Sequence, residues 1–390
     1  MRVLHLAPPA NKPNQITAHS FIDEEIAALR AAGVECLTLP RIETATVGDR
    51  TTTLAFAAAH WARVPPAGLR TPREMFHAVR LETTAARVIR DCEVDVVHSH
   101  FGWPAGFGGT LAASATGVPL VASLRGMDLL TAPEIGYGLR RDPLYAAAVA
   151  RLLTTATRTL YATDYMRERG IAAGAPSSRA TLVRKGVDLI RFRPPADREA
   201  VRAALGITRP MVLAVGTLSK RKNLSLVLDA LARVMDSAWM FVIVGDGAER
   251  DTLDARAVAL GIRDRVRFAG SVGRADIGRY FAAADVFVHA AVMEAAGNVI
   301  LEALAVGCPI VCTDAGGPTE YVRDGETGFV VPPGDAPALA SRVGQLLSSP
   351  ALHCAMAHNA RASAEREFDY GRMIREVIQI YVDVSTAPDS

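Results

Sequence analysis

The order of apolar and polar positions along the chain predicts strands that alternate with helices. Arg2–Ala7 is a short apolar run with the length of a buried strand. Ser20–Ala32 has the period of an amphipathic helix that ends at Gly33, and Val34–Leu39 predicts the next strand. This strand, helix, strand order continues through the chain and predicts an α/β fold with parallel sheets.

One predicted helix is apolar on all sides except for a single carboxylate. From Val299 to Cys308 every residue is apolar or glycine except Glu302, and a helix that is apolar all round is normally buried. Gly297 lies where this helix begins, and Gly307 lies where a left-handed residue would end it. A buried carboxylate requires hydrogen-bond donors, and a ligand could supply them. The alternative is a structural helix whose carboxylates are capped or paired within the protein.

Basic and glycine residues follow a predicted strand in the second half of the chain. The run Met211–Val215 ends in GTLSKRKN, where Gly216 lets the backbone approach a phosphate and Arg221 and Lys222 add positive charge. Glu294 precedes the free amide groups of the apolar helix, which also attract phosphates. Together these segments predict a nucleotide cleft, although a solvated helix start would also explain the basic residues.

Composition narrows the class of protein. A length of 390 residues suggests two domains, and a net charge of +2 gives no indication of nucleic-acid binding. Five cysteines without Cys-x-x-Cys spacing predict free thiols in a reducing cytoplasm, and no apolar run has the length of a membrane span. Arg73, Arg80 and Arg87 recur every seven residues on a predicted helix, as on a membrane-binding face or on an ordinary solvated one.

Two histidines follow a predicted strand in the first half. Val94–Val97 leads into HSHFGW, and the carboxyl ends of parallel strands are where ligands bind. His98 and His100 are therefore candidates for the rim of a cleft. A metal pair is the alternative interpretation, but the sequence offers no third ligand nearby.

The spacing of Glu294 and Glu302, followed by Gly307 and Pro309, resembles the signature of the large retaining GT-B glycosyltransferase family that uses nucleotide-sugar donors, glycosyltransferase family four or group one. The stretch DAGGPTEYVRDGETGFVVPPGD is similar to a second segment of the same family. The resemblance implies an α/β, GT-B fold, with two Rossmann-like domains whose parallel sheets face an interdomain cleft.

The same resemblance implies where the domains divide. TLVRKGVDLIRFRPP is similar to the linker of the family, which gives an acceptor-binding domain at residues 1–192 and a nucleotide-sugar-binding domain at 193–369. A final helix at 370–386 is expected to pack back on the first domain. The opening loop PPANKPNQITAHS is expected to face the acceptor.

Roles for individual residues also follow from the resemblance. The catalytic residues that it implies are Lys222, Arg221, Glu294 and His100. The donor-binding residues are Gly216, Thr217, Gly270, Ser271, Gly297, Asn298, Val299 and Glu302, of which Glu302 takes the ribose hydroxyls. The acceptor-binding residues are Arg125 and Asp128. Thr217 stands where the family has an arginine, and Arg125 stands where it has a histidine. An arginine at position 125 could bind a phosphate or a carboxylate. Asp128 is equally well explained as a turn cap.

The implied activity is retaining, metal-independent transfer of a sugar from a UDP-, GDP- or ADP-sugar to an acceptor hydroxyl in bacterial glycan or secondary-metabolite biosynthesis. The nucleotide sugar is a co-substrate, and no cofactor, metal or nucleic-acid partner is expected. A cytoplasmic location with a small-molecule or glycan acceptor is favoured over membrane association. A sugar-nucleotide epimerase of the same fold, or a catalytically impaired nucleotide-sugar-binding protein, remains an alternative.

Overall fold

The structure is a computed structural model that describes residues 1–7, 18–39, 72–234 and 238–386, with side chains from residue 21 in the second range and from residue 81 in the third. Within these residues the chain divides into two compact units. One comprises the described residues through Arg184 together with those from Ile374 onward, and the other comprises Lys185–Met373. The sequence placed the two divisions after residues 192 and 369.

The described residues of the first unit form a parallel sheet of six strands in the order β2-β1-β3-β4-β5-β6. The strands are β1 (Arg2–Leu6), β2 (Glu35–Thr38), β3 (Val96–His100), β4 (Leu120–Ser123), β5 (Arg158–Tyr161) and β6 (Ala180–Leu182). The helices are α1 (Ala18–Ala31), α2 (Pro72–Asp91), α3 (Phe107–Thr116), α4 (Pro143–Thr155) and α5 (Asp164–Ala172).

The second unit contains a further parallel sheet of six strands, in the order β12-β11-β10-β7-β8-β9 among its described residues. The strands are β7 (Met211–Val215), β8 (Met240–Val244), β9 (Val266–Gly270), β10 (Val286–His289), β11 (Ile310–Thr313) and β12 (Gly328–Val331). The helices are α6 (Arg198–Ala204), α7 (Leu224–Leu231), α8 (Arg250–Ala259), α9 (Ile277–Ala283), α10 (Asn298–Val306), α11 (Ala336–Ser348) and α12 (Pro350–Glu367), and α13 (Tyr370–Thr386) ends the described chain.

The predicted α/β fold with parallel sheets is confirmed, and β7 has the bounds that its apolar run predicted. The strand predicted at Val94–Val97 lies instead at Val96–His100, so both histidines belong to the strand rather than to the loop after it. The reason is pairing, because β3 is hydrogen-bonded between β1 and β4 along this whole length.

Each sheet has a point at which its strand order reverses direction. In the first unit it lies between β1 and β3, and in the second between β7 and β10. Ligands of open α/β sheets bind outside the carboxyl ends of the strands at such a point. The residues that follow β7 and β10 are therefore the first place to look for a site in the second unit.

None of the helices in the described ranges is both long enough and apolar enough to cross a membrane. Of the three regularly spaced arginines on α2, Arg87 is exposed. The side chains of Arg73 and Arg80 lie outside the described part. The opening loop predicted to face the acceptor, within residues 8–17, also lies outside it.

Candidate functional site

Two cations meet one carboxylate at the reversal point of the second sheet. The turn after β7 carries Arg221 and Lys222, and the segment after β10 carries Glu294. Lys222 Nζ and Arg221 Nη1 each donate to Glu294 Oε2 at 2.7 Å. Three of the four residues that the sequence identified as catalytic are thus brought together, although about 70 residues separate the cations from the carboxylate along the chain.

Glycines let the strand ends approach closely enough to build this cluster. Gly216 has a φ of +145°, and a Cβ there would lie 3.2 Å from Lys222 Cε, so the lysine crosses directly over the end of β7. A Cβ on Gly245, after β8, would lie 1.9 Å from the carbonyl oxygen of Gly216. A side chain at Gly245 would push the two loops apart, and a side chain at Gly216 would displace Lys222. Thr217, the departure from the family pattern, is exposed.

The charges of the cluster do not cancel. Burial by itself would raise the pKa of Glu294, but Lys222 and Arg221 hold that pKa well below its usual range. Burial lowers the pKa of Lys222, an effect that the Glu294 carboxylate opposes. One ionised carboxylate neutralises only one of two cations, so the cluster keeps a net positive charge that favours an anionic ligand.

His289 belongs to this cluster and was missed by the sequence analysis. It is the last residue of β10, and its Nε2 lies 3.2 Å from Lys222 Nζ and 3.5 Å from Glu294 Oε2. Because an ammonium group only donates, Nε2 accepts and the ring proton is on Nδ1. Burial, reinforced by Lys222, lowers the pKa of His289 to about 4. Its position at the end of a buried strand was the available signal, but a single histidine there is indistinguishable from a core residue.

The segment between Glu294 and α10 is fixed by backbone pairing. The amide of Glu294 donates to Ala315 O at 2.9 Å, and the amide of Gly317 donates to Glu294 O at 3.1 Å. Gly297 precedes α10 with a φ of +79°, and no side chain of the described residues caps the helix at this end. The predicted donor-binding residues Asn298 and Val299 are its first two residues.

Glu302 is paired within the protein, which was the alternative to a ligand that supplies its donors. Arg274 Nη1 donates to Glu302 Oε1, and the Glu302 side chain is only 3% exposed. The arginine lies 28 residues earlier, in the loop between β9 and α9, and reaches α10 only through the tertiary fold. No periodicity in the sequence relates the two positions.

The resemblance to the family also implies that the backbone at the end of β9 and after it meets the base of the donor. Gly270 ends β9 with a φ of +70°, and a Cβ there would meet no atom of the described residues within 4 Å, so the conformation rather than space requires glycine. Its carbonyl accepts from the amide of Gly245 at 2.8 Å, which joins the turns after β8 and β9. Ser271 is exposed. Base contact by these residues stays a prediction.

In the first unit, strand register creates a buried histidine cluster. His5 pairs with His98 across β1 and β3, and His100 follows two residues later on the same face. His5 Nδ1 and His100 Nε2 lie 3.2 Å apart. Arg125 Nη2 lies 2.7 Å from His100 Nδ1 and donates to Glu25 Oε2 at 2.8 Å. His100 is thus fully buried among protein groups, and its catalytic role stays a prediction.

The metal alternative gains a third histidine, since the ligand atoms of His5, His98 and His100 lie within 4.8 Å of one another. The hydrogen bonds nevertheless fit a metal poorly. Arg125 donates to Nδ1 of His100, so the proton of this neutral ring is on Nε2, the atom that faces His5. Both ring nitrogens of His98 are engaged, by Tyr381 Oη and by Ser123 Oγ. The donor set therefore matches a hydrogen-bonded network.

The two predicted acceptor residues make contacts within the chain. Asp128 is fully buried and accepts from the amides of Gly102 at 2.7 Å and Arg125 at 3.1 Å, which is the turn-capping arrangement. Burial raises the pKa of its carboxyl. The Arg125 side chain forms an ion pair with the carboxylate of Glu25 in this chain. An acceptor role for either residue stays a prediction.

Two family models match the chain. Residues 197–363 match the model described as Glycosyl transferases group 1, and residues 18–191 match the model described as Glycosyltransferase Family 4. The first match contains the whole cluster around Glu294 together with Arg274 and Glu302. The second contains the buried histidines of β3 and Arg125.

Curated relatives agree with these models. A D-inositol 3-phosphate glycosyltransferase of Streptomyces scabiei is 32% identical over 70% of this chain and 64% of its own length. A GDP-mannose-dependent alpha-(1-6)-phosphatidylinositol monomannoside mannosyltransferase of Mycolicibacterium smegmatis is 31% identical over 79% of this chain and 84% of its own length. The chain thus matches slightly less than two thirds of the first relative.

Solved structures share the fold. The HepE protein of Anabaena, in a complex with UDP and glucose, superposes with a TM-score of 0.77 at 24% identity and covers 98% of this chain and 100% of that one. Sucrose-phosphate synthase of Thermosynechococcus elongatus gives a TM-score of 0.82 at 20% identity, with 100% of both chains covered. At these identities the likeness concerns the architecture alone.

Proposed function

Because this chain belongs to the glycosyl transferases group 1 family, we propose that it transfers a sugar from a nucleotide-sugar donor to an acceptor hydroxyl with retention of anomeric configuration. The observation that carries the proposal is the convergence of Lys222 and Arg221 on Glu294 where the second sheet reverses. Two partly buried cations that share one carboxylate leave a positive charge that suits the diphosphate of such a donor.

The charge that must be stabilised grows as the sugar leaves. Breaking the bond between the anomeric carbon and the diphosphate oxygen places negative charge on the nucleoside diphosphate and gives the sugar oxocarbenium character. Lys222, Arg221 and the uncapped amides at the start of α10 bind that charge more strongly in the transition state than in the ground state. Only such differential binding accelerates the chemical step.

Retention is proposed to occur by transfer on one face of the sugar. The acceptor oxygen bonds to the anomeric carbon on the face from which the diphosphate departs, and the acceptor proton passes to the departing phosphate oxygen. Glu294 is held by its two cations, which suits it to orient the donor sugar rather than to attack it. Neither a metal ion nor a cofactor is part of this proposal.

The donor is proposed to be a UDP-, GDP- or ADP-sugar, since the turn at Gly270 offers backbone groups to the base. For the acceptor, the relatives suggest a starting point, because the names of both contain a phosphorylated inositol. Inositol 3-phosphate, free inositol and short glycans therefore form the acceptor panel.

The test is release of nucleoside diphosphate from each donor, with and without each acceptor. We expect release that depends on acceptor, a product whose anomeric coupling constant shows retention, and no loss of rate in EDTA. Lys222→Ala should lower the rate by about 100-fold or more, the scale for removing one preorganised transition-state donor. Lys220→Ala is the matched control, since Lys220 is exposed in the same turn, and should change the rate less than about twofold.

Three outcomes would contradict the proposal. Equal rates for the Lys222→Ala and Lys220→Ala variants would remove the assigned site. Release that is independent of any acceptor would indicate hydrolysis or epimerase chemistry. Donor binding without turnover on any acceptor would indicate a nucleotide-sugar-binding protein.

A further inference from the structure

The ring of His289 is fixed by the second sheet and faces the candidate catalytic lysine. His289 is the last residue of β10, where it pairs with Cys312 of β11, and its side chain is 2% exposed. Its Nε2 lies 3.2 Å from Lys222 Nζ. Because the backbone of His289 belongs to a strand rather than to a loop, the acceptor that it offers has a well-defined position.

Lys222 has two acceptors for its ammonium group. It lies in a single helical turn after β7, and its stem of four carbons is flexible. Glu294 Oε2 accepts one N–H at 2.7 Å, and His289 Nε2 accepts a second. One acceptor alone would let the ammonium group rotate about that contact. Two acceptors determine its position and therefore the direction of its third N–H.

Packing alone does not explain a histidine at the end of β10. Its Nδ1 carries the ring proton, is buried and has no hydrogen-bond partner among the described residues. A buried donor without an acceptor lowers stability. An apolar side chain would avoid that loss, as Phe287 does two residues earlier on the same face of the strand. The contact with Lys222 is what distinguishes histidine from such a residue.

The neutral form of the ring is the one that accepts from Lys222. The charged groups that face His289 are Lys222, Arg221 and Glu294, and burial together with Lys222 lowers the pKa of His289 to about 4. A protonated ring would present an N–H to the ammonium group and repel it. At neutral pH His289 therefore adds an acceptor beside Lys222 without reducing the positive charge of the cluster.

We propose that His289 is a positioning residue for the transfer reaction, which holds the Lys222 ammonium group so that its third N–H is directed at the phosphate oxygen that gains charge as the sugar leaves. This inference rests on the proposed function and deepens it. The effect belongs to the chemical step, because a small displacement of a charged donor reduces transition-state stabilisation more than ground-state binding. A purely structural role and a direct contact of His289 with the donor are the alternatives that the test separates.

The experiment compares kcat and the donor KM of the full chain with those of two His289 variants, on a donor and acceptor that support turnover. His289→Leu removes the acceptor and should lower kcat about tenfold or more, with a change in KM below about threefold. His289→Gln keeps an oxygen that accepts from an ammonium group, and its kcat should be within about threefold of the wild type. His358→Leu is the control, because that histidine is exposed on α12, and should change neither constant.

Stability distinguishes positioning from a structural role. His289→Leu loses the contact with Lys222 but also removes the unpaired Nδ1–H, so its urea-unfolding midpoint at pH 7 should stay close to that of the wild type. A loss of kcat together with a clearly lower midpoint, and without rescue in His289→Gln, would indicate a structural role and overturn the proposal.

A double-mutant cycle tests whether the effect passes through Lys222. In a Lys222→Ala background, His289→Leu should lower kcat less than about twofold further, because the group that it positions is absent. A full additional loss would indicate direct contact with the donor, and an unchanged kcat in the single variant would also overturn the proposal. Absence of acceptor-dependent release by the wild-type chain with every donor would overturn the proposed function itself, so the two failures are distinguishable.

Discussion

One oxygen atom of Glu294 determines the arrangement of the candidate catalytic residues. Oε2 accepts from Lys222 and from Arg221 at 2.7 Å each, and His289 Nε2 lies 3.5 Å away. The two cations repel each other, and His289 when neutral can only accept from the lysine. Glu294 is therefore the residue whose charge allows two partly buried cations to lie side by side.

Glu294→Gln should consequently destabilise the second unit even though its shape is nearly unchanged. The variant leaves Lys222 and Arg221 without their negative partner, and removing one member of a buried ion pair costs about 3–5 kcal/mol. Urea denaturation at pH 7 measures this loss. The control is Glu326→Gln, whose side chain is 57% exposed and whose loss should stay below about 1 kcal/mol. Equal stabilities of the two variants would contradict the assigned role of the charge.

His289 predicts a pH dependence of stability. The ordinary pKa of histidine is 6.5, and burial lowers the pKa of His289 to about 4. Between these values the unfolded chain binds the proton that the folded protein rejects, so stability falls as the pH is lowered through this window, by up to about 3 kcal/mol. Glu294 contributes in the same direction only at lower pH, because its own pKa is depressed.

The measurement is urea denaturation at pH 7 and pH 4.5 for the wild-type chain and for His289→Asn. The asparagine keeps an acceptor for Lys222 but does not titrate, so the variant should lose less stability on acidification than the wild type. His5, whose pKa burial also lowers to about 4, is present in both proteins and cancels in the comparison. Identical pH dependences would show that His289 is not protonated on unfolding.

At the scale of elements, the position of α10 depends on the loop that precedes β12. The backbone from Glu294 to the start of α10 pairs with residues 315–317, and a Cβ on Gly317 would lie 1.9 Å from the carbonyl oxygen of Ala295. Two segments of backbone thus meet where no side chain fits. The helix that offers its amides to a phosphate is fixed by a glycine about ten residues beyond its own end.

Gly317→Ala should therefore displace the Glu294 segment and weaken nucleotide binding as well as stability. Gly325→Ala is the matched control, because Gly325 has a φ of +75° but a Cβ there would meet no atom of the described residues within 4 Å. The control should lose only the backbone cost of about 1–2 kcal/mol and keep its affinity for nucleoside diphosphates. Thermal melts with and without nucleoside diphosphate separate the two effects. Unchanged affinity in Gly317→Ala would exclude this coupling.

At the scale of the whole molecule, α13 contributes residues to both compact units. It begins within the second unit, and from Ile374 onward it belongs to the first. There the Tyr381 hydroxyl hydrogen-bonds to His98 Nδ1, and both side chains are fully buried. The part of α13 from Ile374 onward therefore contributes to the core of the unit that contains the N-terminus.

Tyr381→Phe should destabilise the first unit by about 1–3 kcal/mol, the cost of leaving a buried polar atom of His98 without its partner. The affinity of the chain for nucleoside diphosphates should not change, because the proposed donor residues lie in the second unit. Denaturation followed with and without nucleotide measures both quantities. Tyr280→Phe, at a partly exposed tyrosine, is the control and should have a smaller effect. A loss of nucleotide affinity in Tyr381→Phe would contradict this division of roles.

The sequence by itself determined the elements and much of the candidate site. The apolar run Met211–Val215 predicted β7 to the residue, and Gly307 ends α10 in the left-handed conformation that was expected. Lys222 and Glu294 were identified before their contact was known. These features are accessible from sequence because period, turn chemistry and motif spacing are properties of neighbouring residues.

Only the tertiary structure decided which charged and polar groups are partners. The pairs Arg274 with Glu302, His289 with Lys222 and Arg125 with Glu25 each join residues that lie 28 to 100 positions apart in the sequence. Such pairs depend on strand order and on the path of connecting loops, neither of which leaves a periodic trace in the sequence. The Glu302 carboxylate thus has Arg274 of its own chain as its partner, because folding brings the loop after β9 onto α10.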